Sequence, residues 1–205
     1  MRSERSEIRK AVLQNLKGPL ADHDFKLRGH TFERISENGL SQQIYLGLAR
    51  YGTSRDQHLR LGFLITIKEW VFTYHAYIAE RNWRTAAAAE IRDDFTDLLP
   101  RSDANVWYSL SLGVDALSEI VVSRIQSILI PYLDKLRTRS DIISMWRVHG
   151  QGIGLPPRHK LSIAILMFLN EWKEEGQAMI DQEWNENLAN EFYQKTIETL
   201  LKNTA

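Results

Sequence analysis

The chain has 205 residues, 43% of them apolar and 25% charged, and its 26 Lys/Arg balance 26 Asp/Glu. This length and apolar content provide for a packed core and exclude a disordered or collagenous chain. With no cysteine, disulfide scaffolds, thiol nucleophiles and thiolate zinc sites are excluded as well.

In chain order, Ile8, Val12, Leu16 and Leu20 repeat every four residues and predict an opening helix. Ser3 or Ser6 is its candidate N-cap, and Gly18-Pro19 kinks it rather than ending it, because Leu20 stays in phase. Phe25 to Arg28 and Thr31 to Glu37 are short strands broken at Gly29. Asn38-Gly39 then marks a hairpin into the alternating Ile44, Leu46 and Leu48. After a turn over Gly52–Gln57, Leu59, Leu61, Phe63, Ile65 and Ile67 alternate without a miss, and Trp70 to Tyr77 extends the strand region. Trp83, Ala87, Ile91 and Phe95 predict a helix closed by Pro100, and Val106 to Leu112 a further strand.

Leu117, Ile120, Val121, Ile125, Ile128 and Leu129 mark a long buried helix that Pro131 should break or bend. Ser140-Asp141 caps a short one through Trp146. His149 to Arg158, with three glycines and two prolines, is a loop. Beyond it the chain reads as helix. Leu161, Ile165, Phe168, Leu169 and Trp172 face inward, then Ile180, Trp184, Leu188, Phe192 and Leu200, with Gly176 separating a helical hairpin. The expected fold is therefore α+β. A mostly antiparallel sheet (about residues 25–78 plus 106–112) is covered by helices, in a domain of residues 1–148. An all-helical segment, 159–205, packs on the same domain.

The run from Leu16 to Arg34 resembles the opening of the bacterial family called domain of unknown function 4304. The residues that carry the resemblance are Phe25-Lys26, Arg28-Gly29, Phe32 and Arg34, then Leu98-Leu99-Pro100 with Trp107, and Ile130 to Asp134 (IPYLD). It spans roughly residues 8 to 145. The chain departs from the pattern at His23-Asp24, where a Leu-Gly is usual, and in its longer helical tail. The resemblance implies an α+β fold and a cytoplasmic bacterial protein, and supplies no active site.

For compartment, Met1 to Lys10 has no apolar run of the kind a secretory signal needs. The longest apolar stretch, Leu161 to Leu169, is half of a membrane span, so a cytoplasmic protein with no membrane partner is expected. Charge is unevenly spread. Residues 1–68 hold 12 Lys/Arg against 7 Asp/Glu, whereas residues 170–205 hold 3 against 8.

The six histidines show no i, i+4 pair for zinc, although folding could gather His30, His58 and a carboxylate. Gly150 to Gly154 lacks the preceding strand and the lysine-hydroxyl pair of a phosphate loop. Asp93 and Asp97 would share a helix face, as solvated helices often arrange, and no Ser sits in a nucleophile elbow. No catalytic residue, metal or cofactor is assigned.

The remaining candidates are basic: Lys26, Arg28, Arg34, Arg55 and Arg60, with His30 and His58. If their strands pair, these side chains could share one sheet face beside Phe32, Tyr45 and Tyr51, fit to bind a partner or phosphates. They could equally guard strand edges. The expectation is a non-catalytic protein-interaction module with a protein partner, in a setting of bacterial defence or toxin immunity. A nucleic-acid-binding module using the basic strands and a hydrolase are the alternatives.

Overall fold

The computed structural model describes residues 2–48, 58–68, 90–94, 98–99, 107–149 and 158–204. The fold is α+β with an antiparallel sheet, as the patterning requires. Among the described residues the elements run α1 (Arg2–Asn15), α2 (Lys17–Ala21), β1 (Lys26–Arg28), β2 (Thr31–Glu37), β3 (Leu40–Leu48), β4 (His58–Ile67), β5 (Glu90–Asp94) and β6 (Trp107–Ser109). Helices follow: α3 (Val114–Arg124), a π-turn (Ile125–Leu129), α4 (Ile130–Leu133), α5 (Arg139–His149), α6 (Arg158–Phe168), α7 (Lys173–Glu186) and α8 (Glu191–Thr204). The strands lie in the order β1-β2-β3-β4-β5, and β6 also pairs with β4.

The sheet follows its alternation closely. Leu59, Leu61, Phe63, Ile65 and Ile67 of β4 are all fully buried. In β3 the buried set is Leu40, Gln42, Ile44 and Leu46. The Asn38-Gly39 hairpin forms with positive φ at Gly39 alone (+78°), so it is not the mirror-image turn that needs two such residues.

Four expectations give way. Glu90–Asp94 is a strand, not helix, because pairing in the sheet outweighs the helix propensity of the preceding alanines. The 106–112 segment leaves the sheet at Ser109 and finishes as a 3₁₀ turn, Leu110–Leu112. Pro131 does not break the long helix. The turn before it widens to π geometry, with the Ile130 N–H donating to the Ile125 carbonyl, and the chain continues helical around the missing proline N–H. Finally, of the expected Ser140-Asp141 cap only Asp141 takes part, with Thr138 in place of Ser140, and α5 runs on to His149. Thr138 Oγ1 accepts from the Asp141 N–H at 3.0 Å while the Asp141 carboxylate accepts from the Thr138 N–H at 2.8 Å, a reciprocal capping box. The first helix does continue past Gly18-Pro19, with its interruption one turn earlier at Leu16 and Leu20 buried in phase.

Two compact units divide the chain. One comprises Met1–Ser36, Ser41–Leu64 and Arg92–Arg137, the other Glu37–Leu40, Ile65–Ile91 and Thr138–Ala205. The second thus includes α5 and the β2–β3 turn besides the C-terminal helices. In the first unit, α1 packs on α3, and the Asn15 amide donates to Ser118 Oγ at 3.1 Å. The continuous helical run Val114–Leu136, longer than the apolar stretch at 161–169, has the length and hydropathy of a membrane span. Its buried stripe of Leu117, Val121, Ile125, Leu129 and Leu133 is that of a core helix.

In the second unit, α6 and α7 form the expected hairpin, but the chain reverses at Leu169–Trp172 and Gly176 lies inside α7. A Cβ at Gly176 would sit 2.3 Å from the Phe168 nitrogen and 2.8 Å from the Ala164 carbonyl oxygen, so glycine here permits close helix packing. Leu188 lies in the turn after α7 and is exposed, not part of an inward stripe. Because the atoms facing Gly176 are backbone and cannot yield, Gly176→Ala is expected to cost about 1–3 kcal/mol in denaturant-induced unfolding.

Candidate functional site

Two groups of polar side chains in the first unit sit on opposite faces of the sheet. They separate the four basic candidates that lie among the described residues, Lys26, Arg28, Arg34 and Arg60.

The inner group centres on Arg34. Because strand residues alternate, Arg34 shares the face of the buried Phe32 and is only 3% exposed. A buried guanidinium needs partners, and it has them. Nε donates to Gln42 Oε1 at 2.7 Å, Nη1 to the His23 carbonyl at 3.3 Å, and Nη2 to Asp134 Oδ1 at 2.7 Å. The guanidinium also lies over the Phe25 ring at 4.7 Å. Gln42, fully buried, donates in turn to the Leu133 and Leu136 carbonyls, both at 2.8 Å, which satisfies acceptors at the end of the helical run. Phe63 meets Tyr132 edge-on nearby, with ring centroids 5.5 Å apart.

Burial is the largest influence on Arg34 and holds its pKa below the ordinary value, against the pull of Asp134. A guanidinium nevertheless stays charged throughout the physiological range. Burial would raise the Asp134 carboxyl, but hydrogen bonds and charge from Arg34 and Arg137 outweigh it and hold the group below its usual range. Both residues are therefore ionised at neutral pH. These bonds join β2 and β3 to the end of the helical run, so the cluster braces the sheet against it. Asp24, in the connection from α2 to β1, takes a left-handed φ of +67°, a conformation that aspartate tolerates better than most residues.

The outer face is built differently. In the β1–β2 register Lys26 faces Glu33 and Arg28 faces Thr31, on the side away from Phe32. Arg28 Nε lies 3.5 Å from Glu33 Oε2, and Gln43 Nε2 donates to Glu33 Oε1 at 3.2 Å, which carries the same face into β3. On β3, Tyr45 covers Gly62 of β4 so closely that a Cβ there would lie 2.5 Å from its ring. On β4, Arg60 is paired with Trp107 and His58 with Ser109 of β6, and the Arg60 guanidinium stands 5.4 Å from the Trp107 ring centroid. Trp107 is 42% exposed and Ile35 of β2 66%.

The structure thus brings Lys26, Arg28 and Arg60 onto one sheet face and places Arg34 on the other, fully engaged. Arg55 lies outside the described residues, as do Tyr51 and the glycines of 150–154. Phe32 is in the core, on the face of Arg34 rather than that of Lys26, Arg28 and Arg60. Asp93 and Asp94 stand on a strand, so helical i, i+4 spacing does not apply to Asp93, and Asp97 lies outside the described residues. Among the described residues no group of three or more His, Asp or Glu is placed to hold a metal ion. From sequence, Trp107 entered only through the family resemblance and Ile35 not at all, and neither was assigned to a binding face. The alternation of TFERISE puts Ile35 opposite Phe32, whereas Trp107 reaches this face only through the pairing of β6 with β4.

No family model, curated protein or solved structure matches the chain.

The ion pair predicts a pH dependence. Because the Asp134 carboxyl is held down in the folded state, its stabilisation is present above the unfolded-state pKa and is lost as pH falls through the lower folded one. Asp134→Asn should therefore flatten the acid limb of a stability–pH profile, with a modest loss at neutral pH because Asp134 is 40% exposed. Arg34→Met should cost more, about 3 kcal/mol, because it also strips Gln42 of a partner.

Proposed function

We propose that this chain is a non-catalytic protein-interaction module that docks a protein partner on the outer face of the first unit's sheet. The observation that carries the proposal is the exposed Trp107, braced by Arg60, on the same face as Tyr45 and the exposed Ile35. Tryptophan, tyrosine and arginine are the residues that supply most binding energy at protein interfaces, where rigid rings lose little entropy on docking. The polar cluster behind the sheet supports a scaffold role, since it ties strands to the helical run. Membership of the family that the Phe25–Arg34 and IPYLD runs resemble, a cytoplasmic location and a setting in bacterial defence or toxin immunity belong to this proposal.

The nucleic-acid alternative draws less support. Of the basic side chains it would use, Arg34 is enclosed, Arg28 shares Glu33, and Arg60 stacks on Trp107.

The test is quantitative affinity capture with the tagged chain and with an Ile35→Asp/Trp107→Ser variant whose circular dichroism and melting are unchanged. A stoichiometric partner held by the wild type and weakened about 30-fold or more by the variant is expected. Recovery of no stoichiometric partner, or equal retention by the variant, would refute the proposal. Salt-dependent retention on DNA that Arg28→Ala and Arg60→Ala abolish would instead favour the nucleic-acid alternative.

A further inference from the structure

We infer that Gly62 is a positioning residue of the outer face: its missing side chain lets the Tyr45 ring lie across β4 and join Trp107 in one docking surface. This rests on the protein-interaction proposal above and concerns how its surface is shaped. A glycine inside a strand is destabilising relative to alanine and commonly marks a place where another group comes close. Gly62 is buried in the middle of β4, between Leu61 and Phe63 of the core. Its backbone does not require glycine, since its φ is not positive. The ring does. A Cβ at Gly62 would meet Tyr45 Cζ and Oη at 2.5 Å and Cε2 at 2.9 Å.

All three atoms belong to the hydroxyl end of the ring. Tyr45 therefore reaches from β3 over the backbone of β4 instead of standing upright on its own strand. On β4, Arg60 has Gly47 of β3 on one side and Trp107 of β6 on the other, so β3 and β6 flank β4 at this point. Upright side chains on β3 and β6 would stand two strand spacings apart, roughly 10 Å. Laid over Gly62, the Tyr45 ring spans one of those spacings and brings its tip beside the row of Arg60 and Trp107. Neighbouring aromatic side chains that exclude water together are the arrangement that concentrates binding energy at protein interfaces.

Because the atoms in the way are the far end of a side chain and not backbone, Gly62→Ala is expected to displace the ring and leave the fold intact, unlike Gly176→Ala. Circular dichroism and melting check this. The probe is the protein partner captured by the wild-type chain, titrated against Gly62→Ala, Tyr45→Ser and Tyr45→Phe. Gly62→Ala and Tyr45→Ser should each weaken binding about tenfold, whereas Tyr45→Phe, which keeps the ring, retains most of it. A ring that only covers the strand would change stability and leave binding as it was. Undiminished binding by a folded Gly62→Ala, or by Tyr45→Ser, would overturn the inference. If that happens while Ile35→Asp/Trp107→Ser still loses the partner, the interaction proposal stands and only the positioning role is refuted. If no partner is captured, both fall. Should Gly62→Ala unfold, Gly62→Ala/Tyr45→Ser is expected to fold, since no ring meets the new methyl. A double variant that stays unfolded would count against the inference.

Discussion

The first unit depends on how a buried guanidinium is satisfied. Arg34 occupies a position that strand alternation turns inward, where an unpaired charge would cost several kcal/mol. Three of its N–H groups donate to a side-chain amide, a backbone carbonyl and a carboxylate in three directions. Those partners come from β3, the α2–β1 connection and the end of α4. Gln42 completes the arrangement by turning its amide onto two helix-end carbonyls that would otherwise lack donors. One side chain thereby fixes the relation of β2 to β3 and of both to the helical run, and a shift in any of these elements strands a buried polar group.

This bracing determines what the other side of the sheet can offer. With the inner face committed to Arg34, Gln42 and the apolar set of β3 and β4, alternation sends Glu33, Ile35, Tyr45, Arg60 and their neighbours outward. Gly62 removes the one side chain that would lift Tyr45 off the sheet, and Arg60 props the Trp107 ring. A rigid backbone beneath an aromatic band lowers the entropy lost when a partner docks. The cluster with the strongest electrostatics is thus architectural, and the functional proposal falls to the face with weaker, exposed interactions.

Much of the architecture was legible. Period-two patterning located β2, β3 and β4 because each has one buried face, and Asn38-Gly39 placed the hairpin. The role of Arg34 was partly legible, since the phase of Phe32 already assigns it to the inner face. Its partner Asp134 is 100 residues away, and no local pattern joins them. The strand at Glu90–Asp94 was hidden because it is made by pairing with the sheet while the alanines before it favour helix. Gly176 was legible as unusual but not as a packing contact, since only the neighbouring helix shows what a Cβ would strike. On the outer face, Lys26, Arg28 and Arg60 were visible as strand cations. Trp107 joined them only through the β4–β6 register.

The contact on which this account turns is that of Arg34 with Asp134, at 2.7 Å. The direct measurement is a double-mutant cycle of Arg34→Met and Asp134→Asn, with each stability taken from equilibrium denaturant unfolding at neutral pH and low salt. The account predicts a coupling energy of about 1–3 kcal/mol, the range for partners in one hydrogen-bonded network. Additive losses, with no coupling beyond about 0.5 kcal/mol, would contradict it and show that the Arg34–Asp134 contact does not hold the sheet to the helical run.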